Sequence, residues 1–256
     1  MRRLSPALDR LEVAKVPATI TAIFWVTKLL TTAAGETVSD WMVHAMAPAL
    51  AVLIGLVALA GAMAVQLRAP RYVPWIYWLA ATMVSIFGTM AADVTHVGIG
   101  VPYAVSTITF AVVLLAVFVV WNRSEGSLSI HSITTPRREI FYWLCVVTTF
   151  ALGTAAGDFT AIALKLGYLT SGLLFTAIFL IAALGYWKLR WNGIFAFWFA
   201  YIFTRPVGAS FADWLEKPRQ VGGLDLGHPL VAAVLISGIM LAVLGQQMAW
   251  RRTVVD

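Results

Sequence analysis

The chain has 256 residues, of which 61% are hydrophobic and only 12% are charged. Soluble domains carry about 25% charged residues, so the composition excludes an ordinary soluble protein and indicates one that lies in a lipid bilayer. The formal charge of +6 does not indicate a nucleic-acid partner, because the basic residues fall in short clusters between apolar runs, as membrane-flanking residues do.

The polar segment 1–17 precedes the first apolar run. It lacks a short apolar core followed by a cleavage site, so we predict no removable signal peptide. The single cysteine, Cys145, lies inside an apolar run. This excludes a disulfide framework and a cysteine metal site.

Apolar runs of about 20 residues, the length needed to cross a bilayer, recur along the whole chain. They lie at 18–42, 47–67, 72–96, 101–121, 140–162, 168–187, 191–214 and 228–249. We therefore predict an all-α, polytopic membrane protein with eight transmembrane helices and no separate soluble domain.

Basic residues between these runs predict the orientation. One side carries Arg2, Arg3, Arg10, Lys15, Arg68, Arg71, Arg123, Arg137, Arg138, Lys188, Arg190, Arg251 and Arg252, and the other carries Lys165, Lys217 and Arg219. Because cytoplasmic loops are enriched in Lys and Arg, both termini are expected in the cytoplasm. The expected location is the bacterial inner membrane, with the lipid bilayer as a partner.

Two connections between the runs are longer than the others. The segment 122–136 is rich in Ser and Thr and lies near the middle of the chain, which indicates a linker between two four-helix halves. The segment 216–227 has four charged residues and three glycines and is a candidate mobile flap on the outer side.

A repeat appears when the odd-numbered runs are aligned. A tryptophan stands ten positions before a glycine, a small residue follows four positions after the glycine, and an aspartate comes next. The four copies are Trp25, Gly35, Ser39 and Asp40; Trp78, Gly88, Ala92 and Asp93; Trp143, Gly153, Gly157 and Asp158; and Trp198, Gly208, Ala212 and Asp213. We predict four two-helix repeats, at 1–69, 70–128, 129–189 and 190–256.

Each recurrent position of the repeat has a physical interpretation. The tryptophan is expected near the cytoplasmic end, where an indole can bury its body and hydrogen-bond at the interface. The glycine and the small residue share one helix face, which lets a neighbouring backbone approach closely. The aspartate lies at the C-terminal end of a helix and is costly in a membrane unless it is paired or hydrated.

With these residues in view, the chain resembles a bacterial family of uncharacterised membrane-anchored proteins that consist of four tandem copies of a repeat of unknown function. The resemblance covers residues 15–251 and includes the stretch 24–36 together with the recurrent Trp, Gly and Asp. It implies two transmembrane segments in each repeat, and it implies little about chemistry.

Residues spaced by four share one helix face, and this face carries further polar groups in each repeat. The four faces are Lys28, Thr32, Glu36 and Asp40; Ala81, Ser85, Thr89 and Asp93; Val146, Phe150, Thr154 and Asp158; and Tyr201, Arg205, Ala209 and Asp213. Five acids stand against two bases at these depths, an imbalance that favours a cationic guest.

The leading hypothesis is a secondary transporter or exporter of a small cation, with divalent metal ions as the expected class. The predicted ion-binding residues are Glu36, Asp40, Asp93, Asp158, Asp213, Thr89 and Thr154, and the predicted counter-charge or gating residues are Lys28 and Arg205. His44 and His96 follow Asp40 and Asp93 at helical spacing, which suggests a transition-metal group of these four residues.

Two other function classes stay open. A sensor or scaffold module would use the same buried charges only to fix helix order, and a homo-oligomer is compatible with either function. A membrane enzyme would use paired acids for proton transfer, but the sequence has no nucleophile motif, no phosphate loop and no cofactor signature. We therefore expect no catalytic activity and no cofactor.

Overall fold

A computed structural model describes residues 14–17 and 19–255. Within these residues the fold is all-helical, without strands. Arg2, Arg3 and Arg10 lie outside the described residues. Most of the segment 1–17, for which we predict no signal peptide, lies outside them as well.

Eight α-helices follow one another in the described part of the chain. They are α1 (Ala22–Ala45), α2 (Pro48–Arg68), α3 (Pro74–Asp93), α4 (Tyr103–Glu125), α5 (Pro136–Asp158), α6 (Tyr168–Trp187), α7 (Gly193–Glu216) and α8 (His228–Val255). Proline stands in the first turn of α2, α3 and α5, where its missing N–H has no helical partner to lose. The helix positions agree with the predicted runs to within a few residues at most ends.

Seven of these helices, α2 to α8, are long and apolar enough to cross a membrane. The protein is therefore of multi-pass membrane type, with apolar helix faces suited to lipid. Helix α1 has 24 residues but is less apolar, because Lys28, Glu36 and Asp40 all lie on it. These three side chains are buried inside the bundle, so the polar residues of α1 face protein.

The odd-numbered helices form a closed inner ring. Helix α1 packs on α3, α3 on α5, α5 on α7, and α7 on α1. The even-numbered helices lie outside this ring. In the apolar stretches of α3, α5 and α7, 61% of the residues are buried, whereas for α2, α4, α6 and α8 the share is 17–28%. The outer helices therefore present most of their surface to the surroundings.

Each outer helix packs mainly on the inner helix of the next repeat. Helix α2 lies on α3, α4 on α5, α6 on α7, and α8 closes the circle on α1. The four repeats thus interlock with a pseudo-fourfold arrangement about one axis. The predicted separation into two four-helix halves is not seen, because the ring closes through α7 and α1 as well as through α3 and α5.

The repeated glycines lie at the four contacts of the inner ring. A β-carbon built on Gly88 would lie 2.8 Å from Cβ of Phe150, and one built on Gly208 would lie 2.7 Å from Cβ of Thr32. Gly35 and Gly153 meet Ser85 and Arg205 in the same way. In every case the neighbour occupies the position three residues before the next repeat's glycine. These glycines therefore allow the close helix approach that the sequence pattern predicts.

Three of the four repeated tryptophans are buried. Trp78, Trp143 and Trp198 are buried in an aromatic core with Tyr77, Tyr142 and Tyr201, and Trp25 is half-buried. Trp78 Nε1 donates to Gln246 Oε1 at 3.0 Å, and Trp198 Nε1 donates to the Leu128 carbonyl at 2.9 Å. Neighbouring helices cover these three indoles, so the expected burial of the ring is seen, while their place at the membrane interface stays a prediction.

The two ends of the bundle differ in charge. We call the end that carries Arg68, Arg123 and Arg138 the basic end, and the end that carries the four repeated aspartates the acidic end. At the basic end, the segment 122–136 packs on the core through buried Ile130 and Ile133. At the acidic end, the loop after α7 folds back on that helix through backbone hydrogen bonds such as Leu224 N to Trp214 O at 2.7 Å.

Candidate functional site

The acids of the four repeats converge at the acidic end of the inner ring. Asp93 lies within electrostatic range of Glu36, Asp40 and Asp158, and Asp213 lies within range of the same three residues. Glu36, Asp40 and Asp213 are buried, while Asp93 and Asp158 are half-buried. We call Asp40, Asp93, Asp158 and Asp213 the aspartate ring. Negatively charged carboxylates within electrostatic range repel one another, so the aspartate ring favours a positive charge among its members.

A lysine from the loop after α7 supplies one such charge. Lys217 Nζ forms an ion pair with Asp40 and lies 3.6 Å from Asp213. Burial lowers the pKa of the Lys217 ammonium, but the charges of Asp213 and Asp40 raise it by more, and the net shift is upward. The lysine is therefore protonated near neutral pH and acts as a tethered cation at the rim of the aspartate ring.

On the basic side of the aspartate ring, one buried arginine occupies the centre of the bundle. Arg205 Nη2 forms an ion pair with Glu36 and hydrogen bonds to the hydroxyls of Thr89 and Thr154. Glu36, Thr89 and Thr154 occupy the same position of repeats one, two and three, directly after the glycine. We call these four residues the Arg205 cluster. Because Arg205 comes from repeat four, a single guanidinium joins all four repeats on the axis.

The Arg205 cluster is sealed from solvent. Arg205 is 0% exposed and Glu36 is 4% exposed. Arg205 Nη1 also donates to the Thr32 carbonyl at 2.8 Å. A buried ion pair with further hydrogen bonds is costly to break from one side only, so the cluster is a stable contact between the four repeats.

Lys28 lies one helical turn before Thr32, toward the basic end, and is buried among aromatic rings. Its Nζ lies 3.8 Å from the centroid of Phe150 and 4.2 Å from that of Tyr201. Among the described residues, no hydrogen-bond acceptor contacts this Nζ. Cation–π contacts partly offset the desolvation of an ammonium, but Lys28 Nζ lacks a hydrogen-bond acceptor among the described residues.

A second group of hydrogen-bonded side chains lies near the basic end. The hydroxyls of Tyr77 and Tyr142 are hydrogen-bonded at 2.6 Å. Beside them, Glu139 is fully buried, accepts a hydrogen bond from Gln66 Nε2 at 2.8 Å, and pairs with Lys15 Nζ at 3.2 Å. From Tyr77 to Asp93 the chain advances 16 residues, which corresponds to about 24 Å along a helix.

The histidines adopt different partners from those that their spacing suggested. His96 Nδ1 lies 3.6 Å from Asp158 of the following repeat, and its Nε2 is 2.6 Å from the Ser106 hydroxyl. A π-helical turn at Val94–Gly98 follows Asp93, so His96 is not in α-helical register with that aspartate. In the described part of the chain, the Asp93 carboxylate makes no hydrogen bond or ion pair.

A compact group of potential metal ligands does form at the acidic end, but with other members. One ligand atom from each of Asp40, Glu216 and His228 lies within 4.8 Å of the other two. Asp40 belongs to the predicted metal group, whereas Asp93, His44 and His96 do not join it. We call Asp40, Glu216 and His228 the Glu216 trio.

Sequence reasoning missed several polar residues of this site, namely Glu139, Gln66, Glu216 and His228. Glu139 directly follows two arginines in the sequence, and Glu216 and His228 stand at the two ends of the loop between α7 and α8. Both loop ends carry a ligand-type side chain, and this was the signal that could have indicated a site.

Comparison with protein families identifies four copies of a Repeat of Unknown Function (DUF347), at residues 23–72, 76–127, 141–190 and 196–253. The chain belongs to this repeat family. The resemblance predicted from the Trp, Gly and Asp pattern is thereby confirmed, and each matched copy contains one inner and one outer helix. Comparisons of this repeat-family protein with curated proteins and with solved structures gave no match.

Proposed function

We propose that this repeat-family protein carries a small cation, of the divalent metal class, across the bacterial inner membrane. In this proposal all eight helices cross the bilayer, α1 included, and both termini are cytoplasmic, so that the acidic end faces outward. The aspartate ring and Glu36 bind the cation, Thr89 and Thr154 add neutral oxygen ligands, and Lys28 and Arg205 provide the counter-charges. We propose transport rather than catalysis.

The observation that carries the proposal is the convergence of carboxylates from all four repeats around one axis. A structural role would need each aspartate to be neutralised by a partner. Asp40 and Asp213 share Lys217, and Asp158 lies near His96. The Asp93 carboxylate has no such partner among the described residues. A membrane-embedded carboxylate such as that of Asp93, without a basic partner, supports a role in binding a mobile cation.

The position of Lys217 supports the same interpretation. An ammonium between two ring aspartates occupies the space that an incoming cation needs. Lys217 lies in the connection between α7 and α8, so a shift of this loop would withdraw the ammonium and free the ring. The Arg205 cluster would then be the second barrier, which has to rearrange before a cation reaches the Lys28 level.

The second candidate is a membrane sensor or scaffold whose buried charges are structural. The Arg205 cluster favours it, because Arg205 satisfies Glu36, Thr89 and Thr154 at once. In that case the charges fix the order of the four repeats and the cluster never opens.

Cation flux into proteoliposomes separates the two functions. Purified protein is reconstituted with a metal-sensitive dye inside, and Mn²⁺ is added outside. Transport predicts a saturable flux that is absent from protein-free liposomes. The double variant Asp93→Asn with Asp158→Asn should reduce this flux at least about tenfold, since it removes two of the four ring charges.

Asp225→Asn is the matched control, because it makes the same chemical change on an exposed loop residue outside the ring. Asp225 has a positive φ of 63°, a conformation that asparagine tolerates, so this control is expected to fold and transport as the wild type does. A folded wild-type protein without flux, or a double variant with full flux, would refute the transport proposal.

A further inference from the structure

The polar groups around Glu216 are incompletely satisfied. Glu216 is 2% exposed, and neither of its carboxylate oxygens accepts a hydrogen bond in the described part of the chain. The Thr37 hydroxyl lies beside this carboxylate, but without hydrogen-bond geometry. A buried carboxylate without donors is strongly disfavoured, so the position suits a bound cation.

A ring nitrogen of His228 lies close to the same carboxylate. Its Nδ1 is 3.2 Å from Glu216 Oε1 and is itself without a hydrogen bond. This separation allows both atoms to contact one ion, because metal–nitrogen and metal–oxygen bonds are about 2.0–2.2 Å long. Asp40 supplies a third atom within 4.8 Å of the other two.

A second histidine lies next to this group. The His44 ring stacks on the His228 ring at a centroid distance of 5.2 Å. His44 Nδ1 lies 2.7 Å from the Asp40 carbonyl, an acceptor, so this nitrogen is the donor, and Nε2 is the nitrogen that a metal ion could contact. Imidazoles at a metal site commonly have one nitrogen fixed in this way.

We infer that the Glu216 trio is a binding site for a divalent first-row transition metal ion. Two carboxylates and an imidazole suit Mn²⁺, Fe²⁺ or Zn²⁺, whereas Mg²⁺ and Ca²⁺ prefer oxygen ligands alone. Asp40 belongs to repeat one, while Glu216 and His228 stand at the two ends of the loop that carries Lys217. A metal ion here therefore ties the ends of this loop to α1, directly beside the aspartate ring.

The Lys217 ammonium competes with this metal ion. It pairs with Asp40, and two positive centres on one carboxylate repel each other. Metal binding at the trio would therefore displace Lys217 from Asp40, where the structure shows it. Metal binding at the Glu216 trio does not depend on transport. A role for the trio in capturing the transported cation rests on the proposed function.

Mn²⁺ binding to the purified protein, followed by the electron paramagnetic resonance signal of free Mn²⁺, tests the inference. The wild type should bind at least one Mn²⁺ per chain in a saturable manner, and about a hundredfold excess of Mg²⁺ should displace little of it. Glu216→Gln and His228→Ala should each weaken binding at least about tenfold, since each removes a ligand. Lys217→Gln should strengthen it about threefold or more, since it removes the competing charge.

His131→Ala is the matched control, because His131 is exposed in the segment 122–136 and should bind Mn²⁺ as the wild type does. Each variant is accepted only if it elutes and unfolds thermally as a folded protein. No saturable Mn²⁺ binding by the wild type, or unchanged binding by both Glu216→Gln and His228→Ala, would overturn the inference.

Flux measured on the same preparations separates this inference from the proposed function. If the wild type transports Mn²⁺ but both ligand variants bind it normally, the trio is not the site and the transport proposal stands. If binding depends on Glu216 and His228 but no preparation transports Mn²⁺, the metal site stands and the transport proposal fails.

Discussion

Arg205 makes contacts with all the other repeats through one guanidinium. It pairs with Glu36, bonds to the Thr32 carbonyl, and donates to the hydroxyls of Thr89 and Thr154. Arginine suits this position because it stays charged and offers five donors in a rigid plane. A lysine has a single charged atom and cannot reach the same acceptors together.

Removing this guanidinium leaves Glu36 buried without its cation. Arg205→Met is therefore expected to lower the free energy of unfolding by about 3–5 kcal/mol. The measurement is unfolding of the detergent-solubilised protein by denaturant, followed by tryptophan fluorescence. Arg219→Met, at an exposed loop position, is the control and should change it by less than about 0.5 kcal/mol.

A double-mutant cycle isolates the pair from other effects. Arg205→Met combined with Glu36→Gln should lose less stability than the two single variants together, because the double variant leaves no buried charge unpaired. Strictly additive losses would show that the ion pair is not a stabilising unit of the cluster.

At the scale of the helices, the inner ring depends on four glycine contacts. Gly88 meets Phe150 so closely that a β-carbon would lie 2.8 Å from the Phe150 Cβ. Gly88→Ala should therefore force α3 and α5 apart and lower the free energy of unfolding by about 1–3 kcal/mol.

Gly61 provides the matched control for this prediction. It lies on the exposed face of α2, and nothing lies within 4 Å of a β-carbon built there. Gly61→Ala should leave stability unchanged or raise it by up to about 1 kcal/mol through helix propensity. Equal effects at the two glycines, measured by the same unfolding experiment, would mean that close packing does not explain the repeated glycine.

The helices could be predicted from the sequence because their signal is local. The run 47–67 became Pro48–Arg68, and the run 101–121 became Tyr103–Glu125, since a continuous apolar stretch bounded by proline leaves little choice of structure. The neighbours of the repeated tryptophans could not be predicted, because their burial depends on which helix covers them and a linear pattern does not record it.

The candidate site was predictable only in part, again for a physical reason. The repeat identified the aspartates and Glu36, because identical positions on ring helices must face the same axis. The partners of these acids come from other repeats: Arg205 of repeat four meets Glu36, and His96 of repeat two meets Asp158. Glu216, Lys217 and His228 enter the site through the fold of one loop, which has no periodicity to read.

At the scale of the whole molecule, the arrangement of repeats explains where polar groups can be tolerated. Each outer helix covers the inner helix of the next repeat, so apolar surface faces outward and the charged positions face the axis. Along that axis, the aspartate ring and Lys217 lie at the acidic end, the Arg205 cluster in the middle, and the Tyr77–Tyr142 pair near the basic end. Charged side chains therefore concentrate at the acidic end of the axis, and hydrogen-bonded side chains fill the axis at the other two levels.

The most direct test of this account is a structure determined from crystals grown with MnCl₂, with anomalous scattering collected to locate Mn²⁺. The account predicts a Mn²⁺ peak on the axis, above Arg205, within coordination distance of aspartates from at least two different repeats. A map at saturating Mn²⁺ with no peak among the four aspartates, and with each carboxylate bonded only within its own repeat, would contradict it.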